Sequence, residues 1–303
     1  MIFSIKFIKI GRIKFPIYQY HPVKMSNILL YSLSQHCIQA TVEKRPSKSI
    51  KSPYCADIQL QEENLQTIAH APSLGCSGLV EAGSTVFCEK RHGDTSKTTH
   101  AIHGVEVYGG VRIGVNPIFA NKIVQAILQK GFLEEWKDVT HIQPEAKIED
   151  SRIDFCVTRA NGTKAWVEVK NVPLAAYVNV PTKDFRGICV VEDQNKIHQK
   201  IAVFPDGFRK KKEDMISPRA AKHLECLQRR VVAGDEAYCV YLTQRADVKE
   251  FQPSMCDPQY RYAFLKARAN GVQIRCYSVE WDENFQHVSF VKSVPVVVSS
   301  SNP

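Results

Sequence analysis

The chain has 303 residues, 44% of them hydrophobic and 23% charged, with a formal net charge of +9. It can bury one large core or two ordinary ones, which excludes global disorder, and no run of about 18 apolar residues exists, which excludes a multi-span helical membrane protein. Ten cysteines lie at least 12 positions apart with no Cys-x-x-Cys, which excludes a disulfide mini-protein and a zinc ribbon and reads as reduced thiols of an intracellular protein.

Residues 1–24 hold five basic and no acidic residues. Lys6, Lys9, Arg12 and Lys14 break the apolar run, so there is no secretory core and no membrane span. Two readings stay open: an organelle transit segment, despite a single Arg and a single Ser, or a natural start at Met25. The compartment is accordingly cytoplasm or an organelle (mitochondrion or plastid), with no membrane partner.

Residues 33–110 read as all-β. Short apolar runs are parted by the turn clusters Arg45-Pro46-Ser47-Lys48, Pro72-Ser73-Leu74-Gly75, Glu81-Ala82-Gly83-Ser84 and Gly109-Gly110, the pattern of a small barrel or sandwich. Ser96–His103 is polar and reads as a loop, with His100 and His103 on the surface. Residues 25–110 carry seven basic and eight acidic residues, so bulk charge offers no electrostatic groove there.

From residue 111 the pattern is mixed α/β. Ala120–Gly131 is a helix with a Gly stop. Arg152–Arg159 and Lys164–Val172 alternate around Asn161-Gly162 as a hairpin. Leu174–Met215 reads as a long loop or insertion. Pro218–Arg230 is a basic helix, with Ser217 at the cap and Pro218 in the first turn. Strand Glu236–Thr243, helix Pro258–Ala269 closed by Asn270-Gly271, and strand Gln273–Val279 follow, and residues 298–303 are a polar tail.

The chemistry-bearing pattern is Asp154 on one hairpin strand and Glu168-Val169-Lys170 on the other. Residues i and i+2 of a strand share a face, so Glu168 and Lys170 point the same way. Paired carboxylates suit a hard divalent cation such as Mg²⁺, and a lysine beside them can orient a water and stabilise phosphate charge. Ordinary solvated or paired charges on a strand would give the same pattern, and Glu145-Ala146-Lys147 repeats the spacing. The metal reading makes a demand on register. A two-residue turn at Asn161-Gly162 sets Asp154 opposite Val169, on the wrong face. A three-residue loop Ala160-Asn161-Gly162 pairs Arg159 with Thr163 and sets Asp154 opposite Glu168, with Gly162 in the left-handed position that a type I turn plus bulge requires.

Several segments together resemble one family, the sugar fermentation stimulation proteins (SfsA): Val115–Asn121, Ser151–Phe155, Val167–Val172, Phe204-Pro205-Asp206, Arg219–Leu224 and Lys266–Val272. Order and spacing match over residues 111–295, and more weakly over 33–110. The resemblance implies an α/β (α+β) chain: an N-terminal OB-like β-barrel over 33–110 followed by a PD-(D/E)xK nuclease-like mixed α/β domain over 111–297. It implies DNA binding and a link to sugar metabolism. By position, Asp154, Glu168 and Lys170 match the nuclease-like motif as catalytic residues, with Asp154 and Glu168 as ligands of Mg²⁺ or Mn²⁺. Arg219, Lys222 and His223 match a second block and would position phosphate, being spaced three and four apart on a helix.

The chain departs from the family in three places. Ala71-Pro72-Ser73-Leu74-Gly75 stands where the family usually has Cys-Pro-Asn-Thr-Gly. A charged insertion, Arg209-Lys210-Lys211-Lys212-Glu213-Asp214, is either a nucleic-acid contact or a solvated or address segment. Gln125 and Ala126 stand where the family's helix often carries a Glu, which leaves Glu145 as the candidate third metal-shell acid. In the barrel, Tyr54 and Phe87 are either stacking platforms or core. The expected function is a DNA-binding protein that hydrolyses phosphodiesters with a divalent metal. The alternative is a non-catalytic DNA-binding or regulatory module, and an RNA-processing role in an organelle is a third reading.

Overall fold

The computed structural model describes residues 4–10, 13–19, 28–72, 78–91, 97–148, 151–180, 193–206 and 214–298. Strands β1 (Ser4–Ile10) and β2 (Ile13–Gln19) pair antiparallel with each other, and β3 is Ile28–Ser32. Next come β4 (Ile38–Lys44), β5 (Cys55–Leu60), β6 (Gln66–His70), β7 (Thr85–Lys90), β8 (His100–Val107) and β9 (Val111–Gly114). In the second half, α1 (Pro117–Lys130) leads into β10 (Val139–Ile148), β11 (Ser151–Arg159), β12 (Lys164–Asn171), β13 (Ala175–Ala176) and β14 (Lys200–Phe204). The chain continues through α2 (Pro218–Val232), β15 (Glu236–Thr243), β16 (Val248–Pro253), α3 (Pro258–Ala269), β17 (Gln273–Trp281) and β18 (His287–Ser293).

Strands β4 to β8 form a closed five-strand barrel, with β6 meeting β8 through the pairs Ala69–His100 and His70–Ala101, and β9 adds to β8. Alternate residues fill it: Ala40, Val42, Ile58, Leu60, Val86 and Ile102 are buried together. Of the polar run Ser96–His103, expected to be a loop, residues 100–103 lie in β8, and His100 and His103 are buried rather than on the surface. Each ring is satisfied, His100 by the Thr99 hydroxyl at 2.8 Å and His103 Nε2 by Glu89 at 2.6 Å, so the strand takes polar side chains inward at little cost.

The second half is a seven-stranded mixed sheet in the order β10-β11-β12-β15-β17-β18-β3, with β12, β15 and β17 parallel. Both faces of its centre are covered, which explains the nearly unbroken apolar run of β15. On one face α1 packs Phe119, Ile123, Val124 and Ile127 against Val167, Val169, Val240 and Val279. On the other, Leu224 and Leu227 of α2 and Tyr260 and Phe264 of α3 cover Trp166, Cys239, Tyr241 and Cys276.

Two further expectations are corrected. Leu174–Met215 is not all loop: it contains β13 and β14, which join β16 in a three-stranded sheet. The first helix begins at Pro117, not Ala120, because Asn116 accepts the Ile118 N–H at 3.1 Å and caps it. Barrel and sheet share a seam in which the Phe285 ring, stacked between Phe87 and Trp281, sits over Gly104, where a Cβ would lie 2.0 Å from it. The eight described cysteines are free, and among the described residues no helix is long and apolar enough to cross a membrane.

Candidate functional site

The hairpin β11–β12 closes through the three-residue loop. Phe155–Val167, Cys156–Trp166, Val157–Ala165 and Thr158–Lys164 are partners, and the Arg159 N–H donates to Thr163 O at 2.9 Å. Gly162 takes φ 83° and donates its N–H to Arg159 O at 2.9 Å, which is the bulged turn that the metal reading requires. The side chain of Asn161 accepts the Thr163 N–H at 2.9 Å and stiffens the loop.

Beyond Phe155 and Val167 the ladder pairs stop, and the two carboxylates occupy the place where the strands part. Asp154 Oδ2 accepts the backbone N–H of Val169 at 2.7 Å, and its Oδ1 accepts from Asn121 Nδ2 of α1 at 2.7 Å. Glu168 is buried, its side chain 3% exposed. Its Oε1 accepts both Lys170 Nζ and His223 Nδ1, the latter from α2. Its Oε2 is buried with no hydrogen-bond partner among the described residues. On the neighbouring strand Cys239 is cross-strand from Glu168 and Tyr241 from Lys170, and the Tyr241 hydroxyl is 2.6 Å from that of Tyr260. Burial pushes the Cys239 thiol up to about 12, so it is inert.

The two acids are held oppositely. Burial alone would raise Glu168, but the Lys170 charge and the His223 hydrogen bond outweigh it and hold the carboxyl below its usual range. Asp154 is raised, first by burial and then by the Glu168 charge, against the opposing Val169 and Asn121 hydrogen bonds and Lys170. With Asp154 raised, Glu168 lowered and Glu168 Oε2 without a partner among the described residues, the pair keeps an acceptor oxygen that the protein's own donors do not use. Those donors fit a divalent cation bound by one or two protein carboxylates and completed by water. Among the described residues no group of three or more His, Cys, Asp or Glu side chains gathers for a metal.

The other expected site residues fall in different places. Glu145 lies opposite Asp154 in register, between the Pro144–Phe155 and Ala146–Ile153 pairs, at a left-handed kink of φ 51°. Its side chain is exposed and 3.6 Å from Arg152 rather than beside Glu168. Arg219 and Lys222 are exposed on α2, whereas His223 is buried against Glu168. Arg209, Lys210, Lys211 and Lys212 lie outside the described residues. Tyr54 is 38% exposed and Phe87 is core. Asn121 joins the site from α1, and nothing in the sequence near Asp154 marks a partner 33 positions away.

A buried polar chain ties α1 to both halves. Glu89 accepts from His103 Nε2, His103 Nδ1 accepts from Asn116 Nδ2 at 3.1 Å, and Gln244 Nε2 donates to Asn116 O at 3.2 Å and to Asn171 Oδ1 at 2.9 Å. It fixes the start of the helix that carries Asn121 against the end of the strand that carries Lys170.

Comparison with known proteins places the chain beside one family, two relatives and one solved structure. Residues 118–285 match the family described as the sugar fermentation stimulation protein RE domain. The sugar fermentation stimulation protein homolog of Magnetococcus marinus is 30% identical over 74% of this chain and 84% of its own length, and that of Dinoroseobacter shibae is 30% identical over 82% and 91%. Among solved structures, SfsA of Pyrococcus furiosus in complex with Ca²⁺ superposes with TM-score 0.68 at 18% identity, covering 89% of this chain and all of that one.

Proposed function

The chain belongs to the sugar fermentation stimulation protein (SfsA) family, and on that premise we propose that it is a DNA-binding protein whose second half is a PD-(D/E)xK-like unit hydrolysing phosphodiesters with Mg²⁺ or Mn²⁺. The observation that carries this is Glu168 Oε2, buried and without a hydrogen-bond partner among the described residues, near an Asp154 carboxyl whose proton affinity is raised in part by the Glu168 charge. The Ca²⁺ in the Pyrococcus furiosus structure supports a hard divalent cation as ligand for this fold. Asp154 and Glu168 would hold the cation. Bound there, it would supply Lewis acidity toward a phosphate oxygen and lower the pKa of a water.

The chain's own groups do the rest. Asn121 and the Val169 N–H fix the Asp154 carboxylate in one orientation. Lys170, 14% exposed, keeps its ammonium against Glu168 Oε1 at the mouth of the gap, where it can donate to a phosphate oxygen or an incoming water. Arg219 and Lys222, exposed on α2, would meet the backbone of a nucleic acid, and such contacts would make binding salt-dependent. The barrel is OB-like in closure and strand number, and a strand of nucleic acid could cross it to the gap.

Single- and double-stranded DNA and RNA, each end-labelled, should be incubated with the protein in Mg²⁺, Mn²⁺ or a chelator. The expected result is cleavage that needs metal and is lost in Asp154→Asn and Glu168→Gln. Binding with no cleavage in any metal would show a non-catalytic module and overturn the proposal.

A further inference from the structure

The two oxygens of Glu168 are treated unequally. Among the described residues Oε1 receives two donors and Oε2 none. An ionised carboxylate only accepts hydrogen bonds, so His223 Nδ1 carries the proton and donates. The terminal torsion of a glutamate is broad and nearly two-fold, so a carboxylate left alone interchanges its oxygens freely. Lys170 does not prevent this, because it is a point charge on a flexible stem that can follow either oxygen.

His223 can prevent it. Its ring is buried on α2 between residues that pack into the apolar layer below, Ala220 and Leu224 on the same helix. Its donor therefore has one direction. We propose that His223 is a positioning residue: it pins Oε1 of Glu168 and so presents Oε2 to a cation shared with Asp154. This rests on the metal reading above. It separates His223 from Arg219 and Lys222, with which helical spacing groups it, since those two face solvent while the imidazole faces the carboxylate.

The test is Mn²⁺ binding to the full chain, read from the paramagnetic resonance signal of free Mn²⁺, with no nucleic acid present. His223→Asn places an amide N–H near the position of Nδ1, His223→Gln places it near Nε2, and His223→Phe keeps the ring without a donor. The expected result is that His223→Phe and His223→Gln bind Mn²⁺ about 10–100-fold more weakly, the usual effect of removing a partner of a metal ligand, while His223→Asn recovers most of the affinity. In chelator, DNA affinity should be unchanged in all three. Wild-type Mn²⁺ affinity in His223→Phe with weakened DNA binding would overturn the proposal and make His223 a phosphate contact. If His223→Phe does not fold, equal Mn²⁺ affinity in the Asn and Gln variants overturns it. No Mn²⁺ binding by the wild-type protein would remove the metal reading itself.

Discussion

Gly162 sets the loop on which the register of β11 and β12 turns, and its replacement has a cost that can be worked out. A Cβ built there meets nothing within 4 Å, so no clash contributes. The cost is that of holding an L-residue at φ 83°, roughly 1–2 kcal/mol for a residue with a side chain. Gly162→Ala should lose about 1 kcal/mol, Gly162→Val about 2 kcal/mol because a β-branched residue tolerates positive φ least, and Gly162→Asn only a few tenths of a kcal/mol. At this chain length that is a drop of about 2 °C per kcal/mol in thermal midpoint. Urea and thermal unfolding followed by circular dichroism would measure the series. A slip of one residue would turn Val157 and Val167 out of the core, so the register should hold and Mn²⁺ affinity per folded molecule should not change. Equal stability of the Gly, Ala and Val forms, or loss of metal affinity without loss of stability, would refute the reasoning.

Three further outcomes follow from the seam and the site. Gly104→Ala sets a methyl 2.0 Å from a Phe285 ring clamped by its neighbours and should cost about 1–3 kcal/mol; Phe285→Leu in the same chain should recover part of it, which a double-mutant cycle would read. His103 lies in burial that lowers its pKa, against the Glu89 hydrogen bond and charge and with Lys122 of α1 adding to the lowering. With its folded pKa below 6.5, its stabilisation is present above that pH and is lost as pH falls through the folded value. Urea midpoints between pH 5 and 8 should therefore drop less steeply in His103→Gln than in wild type. Asp154 has the opposite sign: its folded pKa is above the ordinary 3.8, so its contribution is present below that pH and lost as pH rises through the folded value. In chelator at pH 7, Asp154→Asn should melt at or above the wild-type midpoint, and addition of Mn²⁺ should raise only the wild type; a lower midpoint in chelator would contradict this.

Local pattern carried the elements whose signals are local. Alternation around Asn161-Gly162 pointed to the hairpin, while its turn stayed open between two and three residues until the Arg159–Thr163 pairing fixed the longer loop that the metal reading requires. Helices α2 and α3 were legible from Pro218 and from Asn270-Gly271. What was not legible depends on distant partners. Strand β3 pairs with β18, residues 287–290, across nearly the whole chain, and nothing in Ile28–Ser32 announces that. Strand β14 begins with Lys200, 1% exposed, and a lysine in a strand reads as solvated until Asp247 is seen 3.4 Å away, itself gripped by Arg245 at 2.5 and 2.6 Å. His103 read as surface because its satisfying groups, Glu89 and Asn116, are 14 and 13 positions off. His223 shows the limit of helical spacing: it shares a helical side with Arg219 and Lys222, yet one residue of that side is buried and two are not.

The measurement that bears most directly on the account is an anomalous difference map from crystals of the whole chain grown with Mn²⁺. The account predicts one strong peak in the gap between β11 and β12, within coordination distance of Asp154 and of Glu168 Oε2, and its absence in Glu168→Gln. A map with no peak there, or with Mn²⁺ bound only elsewhere, would contradict it.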